Sequence, residues 1–323
     1  MKEIAIPLKL IKILSDGRKY SYEQLCKLFG GMTQLRMSFN KHINTLREWG
    51  IEVNIISTDS YQLTRKIDLL DHERIYDLVR SGNIIVKSVI NSTNQYLFER
   101  IDKLSLGDVC VAEYQTAGRG RRGRYWVSPF GCNLYLSLYW HLEQGPAAAI
   151  EVSLVAGIVI AETLNKLSGS NIKIKWPNDI ILNEKKLAGI LIEMRGKTAD
   201  SVNIVIGVGL NIAMSYNYEI NINQGWINLQ HDGIQIERNM IAAKIILALR
   251  HELVQFEKYG LLPFIKRWLV LDNFLDKKVR LHIGNNLEVG IVKGINERGA
   301  ILLEQNCKIV SYIGDEISLR PYN

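Results

Sequence analysis

The chain has 323 residues, of which 47% are hydrophobic and 23% charged, with a formal net charge of +7. That length predicts two or three domains, and the composition is that of a soluble globular protein able to bury a real core. Cys26, Cys110, Cys132 and Cys307 are scattered without a Cys-x-x-Cys pair, which argues against a zinc site or a disulfide framework and fits a reduced cytoplasm. Met1-Lys2-Glu3-Ile4 opens no apolar leader. The most apolar stretch, Val152 to Ala161, is about half the length needed to cross a bilayer; it reads as a buried helix, and no membrane partner is expected.

In chain order, residues 1–65 form a first module holding ten Lys/Arg against six Asp/Glu, a balance that points to an anionic partner without naming it. Leu8, Ile11 and Leu14 have helical spacing. Ser21 and Gln24 form a capping box for a second helix with Leu25, Leu28 and Phe29 inward. A third helix from Thr33 buries Leu35, Phe39, Ile43 and Leu46 and turns Arg36, Asn40, Asn44 and Arg47 outward, groups able to donate to phosphates and base edges. A hairpin follows, with Ser57 to Ser60 at its tip. The pattern is that of a winged helix-turn-helix; the alternative is a solvated helix face in a protein-interaction module. Residues 66–82 read as a helix-rich linker. In 83–272, strands are predicted at Val109–Tyr114, Leu134–Tyr139, Ile172–Trp176, Leu187–Glu193 and Val202–Val208, with helices at Asn94–Lys103, Ala148–Leu167 and Met240–Tyr259. In 273–323, short strands broken by glycines predict a small β-barrel.

Four segments carry chemistry. Gly118-Arg119-Gly120-Arg121-Arg122-Gly123-Arg124, followed by Tyr125-Trp126, joins a flexible backbone to permanently charged forks, as a loop folding over a phosphate requires. In Lys175-Trp176-Pro177-Asn178-Asp179 the proline turns the chain out of a strand and leaves Asn178 and Asp179 on a turn, free to hold Mg²⁺ or a ribose. Lys186 opens an apolar strand through Gly189, where an anionic ligand can hold it inward. Gly207-Val208-Gly209-Leu210-Asn211 gives a strand with a flat floor. A third glycine is absent, so a dinucleotide fingerprint fails, and no P-loop exists.

Together and in this order these segments resemble the biotin protein ligase family over essentially the whole chain, and with the N-terminal module they are similar to its bifunctional bacterial type, which also represses biotin operons. The resemblance implies an α+β multidomain fold: a winged helix-turn-helix, a mixed α/β catalytic domain related to class II aminoacyl-tRNA synthetases and lipoate ligases, and a C-terminal SH3-like β-barrel. It implies ATP with Mg²⁺ and biotin as substrates, a biotin carboxyl carrier protein as acceptor, palindromic operator DNA, and an adenylate-linked homodimer. By resemblance, Ser92, Thr93, Asn94 and Gln115 contact the biotin ring, over a floor that includes Gly189 and Gly207. Arg119, Gly120 and Arg121 close over biotin and phosphate, and Lys186 binds the reacting carboxylate and α-phosphate. Asn178 and Asp179 lie nearest the metal and the attacking amine. Arg122, Trp126, Asn211 and Trp226 complete the nucleotide set. Lys186, Arg121 and Asp179 are the expected catalytic groups. Three departures from the family pattern stand out: the turn from Gly30 to Met37 is longer, the hairpin tip lacks its glycine, and Ser215 to Asn223 is polar, with Asn217 and Asn221 where aliphatic cover is usual. The alternatives are a non-catalytic biotin sensor and a lipoate-type ligase with an accessory domain.

Overall fold

The computed structural model describes residues 2–29, 34–57, 59–195, 201–215, 225–314 and 317–322, with the backbone alone for 2–3, 34–38 and 57. The N-terminal module contains α1 (Lys2–Leu14), β1 (Tyr20–Ser21), α2 (Tyr22–Leu28), α3 (Gln34–Glu48), β2 (Val53–Ser57) and β3 (Ser60–Leu63), its strands ordered β1-β3-β2. The capping box forms: Ser21 Oγ accepts from Gln24 N at 3.2 Å while Gln24 Oε1 accepts from Ser21 N at 2.8 Å. Ile11, Leu14, Leu25, Phe39, Ile43 and Leu46 are buried as predicted, but Leu28 is 51% exposed because it lies on the outer side of the last turn of α2.

Residues 66–82, expected to be a linker, carry α4 (His72–Val79), whose Ile75 and Val79 join the central core against Arg238–Tyr259 and Ile84–Ile90. The central domain then runs β4 (Ile84–Ile90), α5 (Thr93–Phe98), β5 (Val109–Gln115), β6 (Leu134–Leu142), α6 (Ala149–Ser168), β7 (Lys173–Lys175), β8 (Asp179–Leu182), β9 (Lys185–Arg195), β10 (Val202–Leu210), α7 (Arg238–Tyr259) and α8 (Leu262–Leu271). Its seven strands are ordered β4-β5-β6-β10-β9-β8-β7; only β4–β5 is parallel. Strands β4 and β8 and helix α8 go beyond the predicted elements, and α5 ends at Phe98, with a separate 3₁₀ turn at Ile101–Lys103. Helix α6 is longer than its apolar centre suggested: Pro146–Ser168 is long and apolar enough to cross a membrane, but 78% of its most apolar stretch is buried inside this protein, against α7 and the sheet. α5 covers the opposite face, where Leu97 packs with Cys110, Tyr139 and Val205.

β11 (Lys278–Ile283), β12 (Asn286–Ile295), β13 (Ile301–Gln305), β14 (Lys308–Tyr312) and β15 (Ile317–Pro321) form an antiparallel sheet ordered β14-β13-β12-β11-β15. It is tied to the central domain where fully buried Trp176 donates to Gly299 O at 3.0 Å. The N-terminal module is seated through Trp49 stacked on Phe130 at 5.7 Å and Arg65 donating to Ala213 O at 2.8 Å. A buried ion pair, Arg238 to Glu113 at 2.9 Å, anchors the linker through Arg238 bonded to Asp68 O and Glu113 accepting from Leu70 N. Removing one partner of such a pair costs roughly 3–5 kcal/mol.

Candidate active site

The floor of the central cleft is the β9–β10 ladder, in which Gly189 pairs with Gly209, Leu191 with Gly207 and Glu193 with Val205. A Cβ at Gly207 would stand 2.4 Å from Asn94 Oδ1, and one at Gly209 would stand 2.4 Å from Trp126 Cε2. At Gly189 a Cβ would meet Trp126 at 3.1 Å and Lys186 Cε at 3.2 Å. Glycine is therefore a steric requirement at 207 and 209 while position 189 is tight, and the indole of Trp126 lies on the floor they create.

At one end of the cleft the polar groups form a buried network. Ser92 is the N-cap of α5, accepting from Gln95 N at 3.5 Å, so its structural role is realised. Gln115 Oε1 accepts from Thr93 N at 2.9 Å and Thr93 Oγ1 at 3.2 Å, while Gln115 Nε2 donates to Ser128 Oγ at 3.0 Å. Asn94 Oδ1 is bonded to Ser137 Oγ, and Asn94 Nδ2 donates to Glu193 Oε2 at 2.7 Å. Arg119 reaches the same carboxylate oxygen at 2.9 Å and Gln95 Oε1 at 3.0 Å.

The other end is cationic. Lys186 Nζ lies 2.6 Å from Asp179 Oδ1, and Lys175 Nζ lies 3.9 Å from Asp179 Oδ2. Arg121 donates to Asn178 Oδ1 at 3.0 Å, and Asn178 Nδ2 is tied to Ile190 O at 2.8 Å. Burial pushes the Lys175 ammonium below its usual range, with Asp179 opposing and Arg320, Lys186 and Arg124 reinforcing the shift. Asp179 is not on a turn as predicted. It opens β8, paired with Lys175 and Gly189, so the register fixes where its carboxylate points. Asp179 can offer one carboxylate to a cation held mainly by substrate phosphates, as Mg²⁺ prefers; these two residues do not make an all-protein cage. Among the described residues no group of three or more His, Cys, Asp or Glu could hold a metal.

Ser92 to Asn94, Gln115, Arg119 to Arg122, Trp126, Asn178, Asp179, Lys186, Gly189 and Gly207 all line this one cleft. Asn211 and Trp226 do not. Asn211 is buried behind the floor, donating to Ile227 O at 3.2 Å, and Trp226 packs with Cys132 and Met214 while its backbone pairs with Lys186. Both are expected nucleotide contacts by resemblance; Asn211 N donates to Leu187 O and the Trp226 backbone pairs with Lys186, so both sit directly beside the strand that carries Lys186. Asn217, Asn221, Asn223 and Gln224 lie outside the described residues, as does the side chain of Arg36. Asn40, Asn44 and Arg47 are exposed along α3. Sequence reasoning missed Lys175 and Arg320, which line the cleft, and Glu193 and Ser137, which hold Asn94. Period-two alternation from Gly189 through Leu191 to Glu193 was a usable signal for Glu193; nothing local marks Arg320, which arrives on β15.

A glycine-floored cleft with a neutral hydrogen-bonding pocket at one end and cations at the other is the geometry of an enzyme that joins a polar-headed acid to a phosphate. The chain belongs to the biotin/lipoate A/B protein ligase family, whose model matches residues 86–211. Within it, the chain is 55% identical to the bifunctional ligase/repressor BirA of Salmonella typhimurium and 52% identical to that of Escherichia coli K12, each alignment covering 99% of both proteins. Among solved structures, the biotin protein ligase from Aquifex aeolicus in complex with biotin and ATP is similar at a TM-score of 0.64 and 26% identity, over 75% of this chain and 100% of that one.

Proposed function

We propose that this protein activates biotin with ATP to biotinyl-5'-AMP, transfers the biotinyl group to one lysine of a biotin carboxyl carrier protein, and represses biotin synthesis genes in the cytoplasm. The observation that carries the ligase reading is Lys186, held 2.6 Å from Asp179 at the cationic end of a glycine floor. The neutral network of Thr93, Asn94 and Gln115 suits the ureido ring, which offers N–H donors and a carbonyl acceptor. The biotin carboxylate oxygen attacks the α-phosphorus of ATP, the bond to the leaving pyrophosphate breaks, and Lys186 and Arg121 stabilise the growing phosphoryl charge; Mg²⁺ enters with the nucleotide. The mixed anhydride survives only where water is excluded, a task suited to the arginine loop and Trp126, which line the cleft together. The acceptor amine then attacks the acyl carbon and AMP leaves. A phosphate that takes Lys186 releases Asp179, whose freed carboxylate accepts the amine proton.

The accessory modules follow from the same reading. Residues 1–65 act as a winged helix-turn-helix with α3 in the major groove, and 273–323 as an SH3-like barrel that lends Arg320 to the cleft; 66–82 link the first to the catalytic domain at 83–272. Adenylate-linked homodimerisation pairs two such modules on a palindromic operator. Incubating the protein with biotin, ATP and a biotin-acceptor domain tests the ligase reading: the acceptor gains one biotinyl mass. An unmodified acceptor with bound biotin would favour the sensor; a parallel incubation with lipoate, ATP and a lipoyl-acceptor domain that yields a lipoylated acceptor would favour the lipoate ligase.

A further inference from the structure

Glu193 has no part in the reaction as derived above, yet it is where two of the ligand-facing groups meet. It stands on the same side of β9 as Gly189 and Leu191, one rung beyond the last glycine pair, about 13 Å along the strand from Gly189 at ~3.3 Å per residue. A single oxygen, Oε2, accepts from Asn94 Nδ2 at 2.7 Å and from Arg119 Nη2 at 2.9 Å. An ionised carboxylate only accepts, so it dictates which end of the Asn94 amide faces it. The other end is then turned to Ser137, and the amide lies directly over Gly207, where a Cβ would collide with it. Arg119 is pinned by Glu193 and Gln95 along one edge of its guanidinium, and its Nε is buried with no acceptor. A buried donor without a partner is costly, and here it marks the edge a ligand acceptor would satisfy.

We infer that Glu193 is a positioning residue of the ring pocket, fixing the sense of the Asn94 amide and docking Arg119 so that both meet biotin in one geometry. The inference rests on the ring-pocket reading of Asn94 and Arg119. The test uses the full chain and steady-state pyrophosphate release with biotin and ATP varied separately. E193A raises KM for biotin about tenfold or more, as losing a charge-assisted hydrogen bond predicts, with KM for ATP and kcat moved less than threefold. E193Q keeps an acceptor oxygen but loses the charge that orders it, and falls between, near threefold. A KM for biotin within twofold of the unmodified protein in E193A would overturn the inference. So would equal rises in both KM values, which would make Glu193 a mere support of the sheet. If E193A fails to fold, E193Q carries the test, and an unchanged biotin KM there overturns it. N94A separates the two layers: unaltered biotin KM in N94A would sink the ring-pocket reading itself, whereas a raised KM in N94A beside a normal one in E193A would sink only the role of Glu193.

Discussion

The cleft and the outer face of α3 both present cations beside amides, and they differ in what holds those groups. In the cleft three of the cations are docked: Lys186 on Asp179, Arg121 on Asn178, Arg119 on Glu193 and Gln95. On α3, Asn40 and Asn44 are exposed, and Arg47 has only a 3.4 Å bond to Asn44 one turn earlier. A transition state needs charges placed beforehand, because reorganising them costs barrier height, whereas an extended polyanion can order side chains as it binds. The first surface should therefore fail sharply when one group is removed, and the second gradually.

The sharpest break is expected at the phosphate end. Lys186→Met should slow adenylate formation by about a thousandfold, the upper range for losing one preorganised electrostatic group. Its melting temperature should stay within a few degrees, since the side chain is only partly buried and contributes little to the core. Pyrophosphate release near the unmodified rate would remove Lys186 from the chemistry. Arg121→Gly comes next. Without the bond to Asn178 the loop opens more readily, and adenylate should escape about 10–100-fold faster, the equivalent of one charged hydrogen bond, labelling bystander lysines. Release no faster than from the unmodified protein would rule out a clamp at that position. Arg320→Ala should raise KM for ATP about tenfold and leave KM for biotin alone, because Arg320 lines the cleft close enough to Lys175 to repel its ammonium; parallel changes in both would mean the C-terminal sheet merely braces the cleft.

These sites also mark how far the residues themselves disclose the machine. The arginine loop, Lys186 and Ser92 to Asn94 are legible because each is a short run whose chemistry is unusual for its place: cations between strands, a lysine opening an apolar strand, a cap beside a sheet. The glycine floor is legible too, since missing side chains on a strand need a reason, and the close approach of Asn94 and Trp126 supplies it. Glu193 is harder, as a glutamate near a strand end is ordinary until register places it against α5. Asn211 and Trp226 are harder for a different reason: they sit beside the strand of Lys186 and not among the cleft-lining residues, and buried amides and indoles look the same in a sequence whether they hold ligand or backbone. Arg320 depends on the packing of β15, more than a hundred residues beyond Lys186, and no local pattern encodes it.

The smallest effect, and the one that sharpens the comparison most, is expected at Arg47. It lies in the last turn of α3, exposed, and suits a phosphate contact, while Asn40 and Asn44 earlier in the helix suit base edges. Arg47→Ala should weaken operator binding about three- to tenfold, flatten the dependence of log K on log salt by about one, and leave biotin transfer untouched. An unchanged salt slope would exclude a phosphate contact. Lys186→Met supplies the complementary arm. It makes little adenylate, so biotin with ATP should no longer promote its dimer or tighten its grip on DNA, although its salt slope stays that of the unmodified protein. Linkage requires this, since a ligand shifts assembly only by the difference in its affinity for the two states. If sedimentation and operator binding respond to biotin and ATP equally in both proteins, the two surfaces are coupled by something other than the adenylate. If neither responds in the unmodified protein, the N-terminal module binds DNA without sensing biotin.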